Sequence, residues 1–407
     1  QGLIPVTYNS SGDVVVADAN TKWYDYSNHE WANAVLVNCA DSAIKSKYFN
    51  DDMSLKSSAV GSTISMDEIL QMYVYIPRYR YKLFNANNGT SKEQAVNIIF
   101  EKVGTEKSNG AENGEWLTHP AFTFGNTELP GIWVAKFEAS GSTDNYQIKP
   151  NQKSLTSINL ATMYNTSRST ILNASKYGLN NNVDTHMMKN MEWGAIAFLT
   201  NSIYGRYNAA STCIASGCEV WINNINTGST GSNGPSITGC SGSSTSAGVS
   251  SSKTACASGY DWKNKGVNAS TTGNQYGIYD MSGGAWEYVM GVQKDSSGNV
   301  QVASSGFSTS SLPDSKYYDL YDYQAADGVG YTRYHLGDAT REILKNTSSH
   351  GGNAWWSDYS YNIYSSYPWV HRGGSYSDGT YAGVFTFSWT NAGGTTHSSF
   401  RSVLTAG

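Results

Sequence analysis

The chain has 407 residues, with 27 lysines and arginines against 32 aspartates and glutamates, and a net charge of −5. Charged residues make up 14% and aromatic residues 13%, so we expect a polar, weakly charged surface that is rich in the chain's 29 tyrosines. The longest basic run, at residues 78–82, is too short for the electrostatic footprint of a nucleic-acid-binding protein. No apolar stretch approaches the length of a membrane-spanning helix.

The first sixty residues are predicted to form an N-terminal segment of strand and helix, followed by a main domain over residues 61–407. Within that segment, residues 25–37 (DYSNHEWANAVLV) are a candidate helix. Residues 1–16 are a candidate for self-association, because an extended segment can add as a strand to the sheet of a neighbouring chain.

Few further helices are expected. Ser65 and Glu68 have the spacing of a capping box, which predicts a short helix over residues 65–72. Residues 156–167 are a second candidate. The strongest is residues 184–205, where methionine, alanine, phenylalanine and leucine recur at helical spacing. Its methionines are predicted to belong to the core rather than to a cofactor site.

Strands are predicted where β-branched and aromatic residues alternate between glycine, asparagine and serine boundaries. The clearest runs are residues 73–83, 131–139 and 382–389. Pro77 lies inside the first run and restricts it to an edge or a bulge, because proline donates no ladder hydrogen bond.

Residues 207–265 are rich in serine, glycine, threonine and asparagine and are predicted to be an insertion or long loop. Four of the five cysteines lie in it. Cys213 with Cys218 and Cys240 with Cys256 could each close a loop by a disulfide, a pattern that suits an oxidising compartment. Zinc is the alternative, although neither spacing is C-x2-C and no histidine lies nearby.

Three motifs carry a family resemblance. GNQYGIYDMSGGAWEY at residues 273–288, RGGSY at 372–376 and SFR at 399–401 resemble the core and closing motifs of the formylglycine-generating-enzyme branch of the C-type lectin fold. The resemblance extends over about residues 73–404. It implies an α+β fold with few helices, small twisted antiparallel sheets and much irregular structure.

The catalytic residues of that branch are not found here. The formylglycine enzymes oxidise a substrate cysteine with two of their own cysteines just after the RGGS motif, and residues 376–381 contain none. The histidine pattern by which ergothioneine-type relatives bind iron is also absent from the sequence. We therefore expect no enzyme and no catalytic metal site.

A second branch of the same fold fits the C-terminal segment better. Residues 355–404 resemble the variable region of diversity-generating retroelement proteins, which is framed by RGGS and GFR motifs and mutated at adenines. Such mutation turns asparagine codons into codons for tyrosine, serine, threonine, aspartate, histidine or alanine. The residues that this resemblance predicts to contact a ligand are Ser357, Asp358, Tyr359, Tyr361, Tyr364, Tyr376, Ser377, Asp378, Thr380, Tyr381, Ser388, Trp389, Thr390, Thr395, Thr396 and His397.

A fixed frame is predicted to hold these variable positions. Its members are Arg372, Gly373, Gly374, Trp286, Phe400 and Arg401. We expect both arginines to be buried and bonded to carbonyl or carboxylate oxygens, because an unpaired buried guanidinium is strongly destabilising. The side chains between them would then be free to vary, with tyrosine and tryptophan supplying rigid contact area as they do in antibody loops.

Four carboxylates near these motifs have the residue type of an acid/base pair. We interpret Asp280, Glu287, Asp338 and Glu342 as groups that form turns or buried ion pairs rather than as catalytic residues. No cofactor is predicted. Calcium is the one metal ion that the wider lectin fold leaves open, although the sequence has no 12-residue calcium loop.

Together these features predict a surface-exposed ligand-binding protein of the adhesin or receptor-binding type. Its expected location is extracellular, on a cell surface or a phage particle, and its expected ligand is a protein or a glycan on another surface. A structural subunit of a surface filament is the alternative, and an oxidase of the formylglycine type or a nonhaem-iron enzyme is less favoured.

Overall fold

The computed structural model describes residues 2–86, 92–180, 182–214, 217–223, 235–242, 248–250, 252–331, 333–347 and 350–406. Nineteen short strands make up its β structure. They are, in chain order, β1 (Ile4–Tyr8), β2 (Val14–Val16), β3 (Asn33–Val37), β4 (Ile69–Pro77), β5 (Tyr79–Lys82), β6 (Ile98–Phe100), β7 (Trp116–Thr118), β8 (Thr123–Phe124), β9 (Thr127–Glu128), β10 (Gly131–Ala135), β11 (Ser140–Gly141), β12 (Tyr146–Gln147), β13 (Val183–Met187), β14 (Trp286–Gln293), β15 (Asp319–Tyr321), β16 (Trp369–Arg372), β17 (Phe387–Thr390), β18 (Ser398–Phe400) and β19 (Ser402–Ala406).

Four α-helices occur in the described residues, and long irregular stretches join them to the strands. They are α1 (Ser42–Tyr48), α2 (Leu160–Leu172), α3 (Ala174–Tyr177) and α4 (Asn190–Thr200). None of these helices is long and apolar enough to cross a membrane. The predicted fold class, α+β with few helices, small antiparallel sheets and much irregular structure, is confirmed.

The largest sheet has seven strands in the order β13-β19-β10-β4-β3-β1-β2, and every pair in it is antiparallel. It joins the two ends of the described chain, because β1 and β19 lie in the same sheet. Strands from both sides of residue 60 also share it. The predicted division into two domains at that residue stays a prediction and gains no support from the strand pairing.

The backbone of the N-terminal strands is bonded within the chain. β1 pairs with β2 on one side and with β3 on the other. The outer edge of β2 is covered as well, because Val16 N donates to Ser62 O at 3.0 Å and Ile64 N donates to Val14 O at 2.9 Å. These bonds argue against self-association in which residues 4–16 add as a strand to another molecule.

A second sheet positions the C-terminal segment. Its strands run in the order β15-β14-β16-β17, and β18 pairs with β14 in parallel. The central strand β14 is buried along its whole length, whereas β17 is the last strand on its side. The variable region predicted from the sequence therefore includes an inner strand, β16, and the terminal strand, β17.

The strongest predicted helix is confirmed in its second half and wrong in its first. Residues 183–187 form β13, which pairs with β19 over five residue pairs, and α4 begins only at Asn190. Glu192 caps that beginning by accepting a hydrogen bond from Lys189 N at 2.8 Å. All eleven residues of α4 are buried, because it passes through the core.

Two other predicted helices are strands. Glu68 does accept a hydrogen bond from Ser65 N at 3.2 Å, as in a capping box, but the following residues form β4, paired on both sides by β3 and β10. Residues 25–37 contain a short 3-10 helix at Tyr26–Asn28 and then β3. In both cases sheet pairing overrides the local pattern. The candidate at 156–167 is confirmed as α2, shifted to begin at Leu160.

The cysteine pairing is confirmed. Cys213 is bonded to Cys218 and Cys240 to Cys256, while Cys39 is a buried free thiol. The predicted insertion at 207–265 is described only at 207–214, 217–223, 235–242, 248–250 and 252–265. In these parts Cys240 packs in a small buried cluster with Ile237 and Val249, so the insertion buries some apolar surface of its own.

Candidate functional site

Two glycines in the left-handed conformation follow β16 in the C-terminal segment. Gly373 has φ 84° and Gly374 has φ 74°. A Cβ on Gly374 would come within 2.6 Å of the Cα of Ala382, so both the backbone and the space require glycine there. Gly373 O accepts hydrogen bonds from Gly283 N at 2.9 Å and Gly383 N at 3.1 Å. These contacts fix the segment against the glycine motif at residues 273–288.

Arg372 holds the same turn from inside. Its guanidinium is fully buried, and Nη1 donates to Asn190 Oδ1 at 3.0 Å and to Asp338 O at 2.9 Å. Nη2 donates to Ala339 O at 3.2 Å. The prediction that this arginine is buried and bonded to backbone oxygens is confirmed. It ties β16 to the beginning of α4 and to the loop at residues 338–339.

Arg401 holds the other end. It is fully buried, and its Nε donates to Glu287 Oε2 at 3.0 Å. Nη1 donates to Ala135 O at 2.7 Å and Nη2 to Tyr279 O at 2.8 Å. The predicted burial and pairing are confirmed here as well. The neighbouring Phe400 is also fully buried and packs on a tyrosine ring, so β18 and β19 are fixed to both sheets.

Two more buried carboxyl groups lie beside this ion pair. Asp280 accepts hydrogen bonds from Asn223 Nδ2 at 2.7 Å and Gly239 N at 2.8 Å. Glu138 bonds to Ala285 N at 2.8 Å and to the hydroxyl groups of two serines rather than to a cation. Burial, with the charges of Asp280 and Glu287, raises the pKa of Glu138 well above its usual range. Glu138 is therefore the carboxyl group that holds a proton.

The remaining carboxylates that resembled catalytic groups are structural too. Asp338 is fully buried and accepts hydrogen bonds from Tyr321 and Thr340 hydroxyl groups at 3.0 and 2.5 Å. Glu342 accepts one from Gly337 N at 2.6 Å and one from Tyr81 Oη at 2.9 Å. In the described part of the chain, no group of three or more histidine, cysteine, aspartate or glutamate residues is arranged to hold a metal ion. The expectation about calcium stays a prediction.

Thirteen of the sixteen predicted contact residues reach the surface, and we call these thirteen the display surface. Exposed members are Ser357, Thr380, Tyr381, Thr396 and His397. Half-buried members are Tyr359, Tyr361, Tyr364, Ser377, Asp378, Ser388, Trp389 and Thr395. Their role as ligand contacts stays a prediction.

Three predicted contacts are buried and must be corrected. Asp358 is fully buried, and its carboxylate accepts a hydrogen bond from Phe385 N at 2.9 Å. Thr390 is buried within β17, where its hydroxyl accepts a hydrogen bond from Ala392 N at 3.0 Å. Tyr376 is 8% exposed, with its backbone bonded to the glycine motif. These three side chains support the backbone of the display surface instead of facing a ligand.

One part of the display surface is a connected group of aromatic rings. The Tyr359 ring centre lies 4.6 Å from that of Tyr381 and 5.7 Å from that of Tyr361. Trp389 lies 6.3 Å from Tyr361 and 5.8 Å from Tyr364. We call these five rings the aromatic patch. Contacts of this kind restrain the rings and so lower the entropy cost of presenting them to a partner.

A second part surrounds Trp286. Its indole stacks on the His371 ring with 3.8 Å between ring centres, and its backbone N donates to His397 O at 2.8 Å. Trp286 is 8% exposed and supports the loop that carries His397, and its role in the frame stays a prediction. Burial, together with the neighbouring His397, lowers the pKa of His371 to about 3, so this ring is neutral.

The two parts meet around Asp378. Burial is the main cause of the raised pKa of Tyr359, and the charge of Asp378 raises it further. Burial also raises the pKa of Asp378, and the nearby His397 partly offsets that increase. They also meet across β17, where Ser388 pairs with His371 and Trp389 pairs with Val370. Successive side chains of a strand point to opposite faces, so the display surface wraps around the terminal strand of the second sheet.

The sequence reasoning missed Tyr367 and His350. Tyr367 lies 4.1 Å from Trp389 between ring centres, and His350 stacks on Tyr361 at 4.4 Å. Tyr367 ends the run SDYSYNIYSSY at residues 357–367, so its composition could have identified it. His350 precedes that run, and no local signal distinguishes it.

Comparisons with known proteins give a coarse likeness only. No family model and no curated protein matches the chain. Among solved structures, variable protein 1 of Treponema denticola is similar at 10% identity and a TM-score of 0.30, over 85% of this chain and 99% of that one. A P3c variant of a major tropism determinant is similar at 12% identity and a TM-score of 0.30, over 100% of this chain and 82% of that one.

Substitutions should separate the frame from the display surface. Gly374→Ala is expected to lower the free energy of unfolding by about 2 kcal/mol or more, because it combines a left-handed backbone with a clash at Ala382. Thr380→Ala and Thr396→Ala, at exposed positions, should change it by about 0.5 kcal/mol or less. Urea denaturation followed by tryptophan fluorescence measures both effects. Equal losses from the two kinds of variant would contradict the division.

The protonated Glu138 makes a pH-dependent prediction. Its pKa is higher in the folded chain than in the unfolded chain, so its contribution to stability is present at low pH and is lost as the pH rises. Glu138→Gln mimics the neutral acid, so its free energy of unfolding should rise relative to wild type between pH 5 and pH 8. Urea denaturation at several pH values tests this.

Glu287→Gln is the matched control for that experiment. It removes one partner of the buried pair with Arg401 and should destabilise the protein by about 3–5 kcal/mol, whereas Glu138→Gln leaves that pair in place. Parallel pH curves for wild type and Glu138→Gln would show that Glu138 is ionised in the folded chain.

Proposed function

We propose that this protein is a surface-exposed ligand-binding protein of the adhesin or receptor-binding type, with a diversified recognition face at its C-terminal end. The observation that carries the proposal is the contrast between frame and display surface. Arg372, Arg401 and the two glycines are buried, and each arginine donates several hydrogen bonds to buried oxygens, while thirteen of the residues between and before them reach solvent. A segment built in this way can change its exposed side chains without losing its backbone geometry.

The chemistry of the display surface favours contact through rings and hydroxyl groups. It carries four tyrosines, one tryptophan and several serines and threonines, but one carboxylate, Asp378, and no lysine or arginine. Tyrosine and tryptophan are the residues in which binding energy concentrates at protein interfaces, and aromatic faces also stack on sugar rings. A protein or a glycan on another surface is therefore the proposed ligand.

Diversification would act on the exposed positions. Ser377, Thr380, Tyr381 and Thr396 carry side chains that adenine mutation of an asparagine codon can produce, and all four reach solvent. Asp358 also carries a side chain of this set. Its two carboxylate oxygens, however, lie only 2.1 Å from the position that a Cβ on Gly383 would occupy. That crowding leaves no room for larger side chains, so we expect position 358 to vary least.

The proposed location is outside the cell, on its surface or on a phage particle. The two disulfides support it, because such bonds persist in oxidising compartments. The filament alternative loses the strand-addition route that we expected for residues 1–16, since the backbone of residues 4–16 is already paired. Asp280, Glu287, Asp338 and Glu342 are buried, which supports a structural role for these carboxylates over a catalytic one.

Binding by variants of the aromatic patch tests the proposal. The triple change Tyr359→Ser, Tyr361→Ser and Tyr364→Ser should weaken binding to intact bacterial cells and to a glycan array by ten-fold or more, because it removes most of the exposed ring area. Tyr24→Ser is the control, since Tyr24 is 40% exposed but lies near the N-terminal strands. Equal binding by the triple variant and the control would contradict the proposed recognition face.

The source genome gives a separate test of diversification. A template repeat beside a reverse transcriptase gene should match the codons of residues 355–404 except at adenines. Its substitutions should fall on the display surface and spare Arg372, Gly373, Gly374 and Arg401. A genome without such a repeat would leave a fixed binding face in place of a diversified one.

A further inference from the structure

One cavity has no part in the display surface and no assigned role. It has a volume of about 750 Å³ and lies at the β13 edge of the seven-stranded sheet, between the β8–β9 hairpin and residues 314–316. Its wall includes Phe124, Asp184, Lys189 and Lys316. None of the thirteen display residues lines it.

Lys189 is the unusual group in this wall. The residue is 6% exposed, yet no carboxylate of the described residues lies within 4.0 Å of its Nζ and no hydrogen bond from Nζ is formed to them. Its ammonium lies 5.7 Å from the centre of the Phe124 ring. The charges of Asp319 and Glu192 act on this ammonium only from beyond ion-pair distance, so a group bound in the cavity could contact it directly.

A second lysine faces the same ring. Lys316 Nζ lies 5.1 Å from the centre of Phe124 and 5.0 Å from that of Tyr317. Two ammonium groups therefore converge on one aromatic ring at the cavity wall. Their mutual repulsion would be relieved by an anion placed between them.

The carboxylates nearby are already compensated. Asp184 accepts hydrogen bonds from Arg168 Nη1 at 2.6 Å and Tyr317 Oη at 2.8 Å. His186 bridges Asp184 and Glu192 at 3.1 and 3.0 Å, and although burial alone would lower the pKa of His186, these two carboxylates raise it. Arg168 and His186 are thus the direct side-chain partners of Asp184 and Glu192, and neither carboxylate forms an ion pair with Lys189.

Two further acidic groups complete the surroundings. Asp314 is exposed at the rim, and its carboxylate accepts a hydrogen bond from the backbone N of Lys316 at 3.0 Å. Asp319 acts on Lys189 from beyond ion-pair distance and accepts a hydrogen bond from Met191 N at 2.7 Å. Burial raises the pKa of Asp319 to about 6. The cavity wall therefore presents two lysine ammonium groups to which no carboxylate of the described residues is directly bonded.

We propose that this cavity binds a small hydroxylated molecule that carries a carboxylate or phosphate group, with Lys189 and Lys316 as the anion contacts. Asn126, Thr127, Asn182 and Ser315 line the rest of the cavity and supply hydrogen-bonding side chains for hydroxyl groups. The volume accommodates one or two sugar rings. This site is independent of the proposed recognition face and would be present in every diversified form of the protein.

Isothermal titration with glucuronate, glucose 6-phosphate and neutral glucose tests the site. The two charged sugars should bind and glucose should not, and the stronger of the two identifies carboxylate or phosphate as the preferred group. Lys189→Met and Lys316→Gln should each weaken binding by ten-fold or more. Lys45→Gln, at a separate cavity formed by residues 42–56, is the control and should bind as wild type does.

Stability distinguishes a binding lysine from a structural one. Because no carboxylate is directly bonded to the Lys189 ammonium, Lys189→Met should lose the charged sugars while its urea midpoint stays close to that of wild type. Lower stability of Lys189→Met would show that the lysine serves the fold. Absence of binding by either charged sugar at millimolar concentration, or equal binding by wild type and Lys189→Met, would overturn the proposal.

Discussion

The C-terminal half of the molecule depends on two buried guanidinium groups. Arg372 and Arg401 cannot leave their oxygen partners without leaving an unpaired charge in the interior, so the backbone at both residues is strongly restrained. Their partners come from β10, β14, α4 and the loop at residues 338–339. The two arginines therefore connect the sheets to the core helix and hold the display surface by interactions that none of its own side chains supplies.

In this arrangement, the residue types inside the molecule differ from those on the display surface. Inside, charged groups fix geometry: Glu287 pairs with Arg401, and Glu138 and Asp280 are satisfied by amides and hydroxyl groups. Outside, the display surface is almost without charge and carries rings and hydroxyl groups. Several of the chain's few charged groups thus serve its internal structure, and contact with a ligand through the tyrosines of the display surface is our proposal. Lys189 departs from this rule, since its ammonium lies at a cavity wall without a directly bonded carboxylate.

The placement of β17 explains how neighbouring positions can serve one surface. Ser388 and Trp389 are adjacent in β17, so their side chains point to opposite faces of the sheet. Because β17 is the last strand of the sheet, both faces border the same edge there. The loops before and after the strand extend this edge through Tyr359 and His397. A recognition face that wraps an edge can present both strand and loop residues to one partner.

The sequence by itself determined the frame, the disulfide pairs and the class of fold. Glycine pairs, buried arginines and closely spaced cysteines leave signatures in a few adjacent residues, because the constraint behind each is local. Helix boundaries were less certain for the same reason: residues 65–72 and 184–187 carry helical patterns, yet partners distant in the chain pair them as strands. Only the tertiary structure decided which variable positions face solvent, since the burial of Asp358 depends on Gly383 and Phe385 packing against it. The tertiary structure also showed that Lys189 and Lys316, which are 127 residues apart in the sequence, both lie near the ring of Phe124. No sequence pattern could predict this, because the contact forms only when distant segments pack together at the sheet edge.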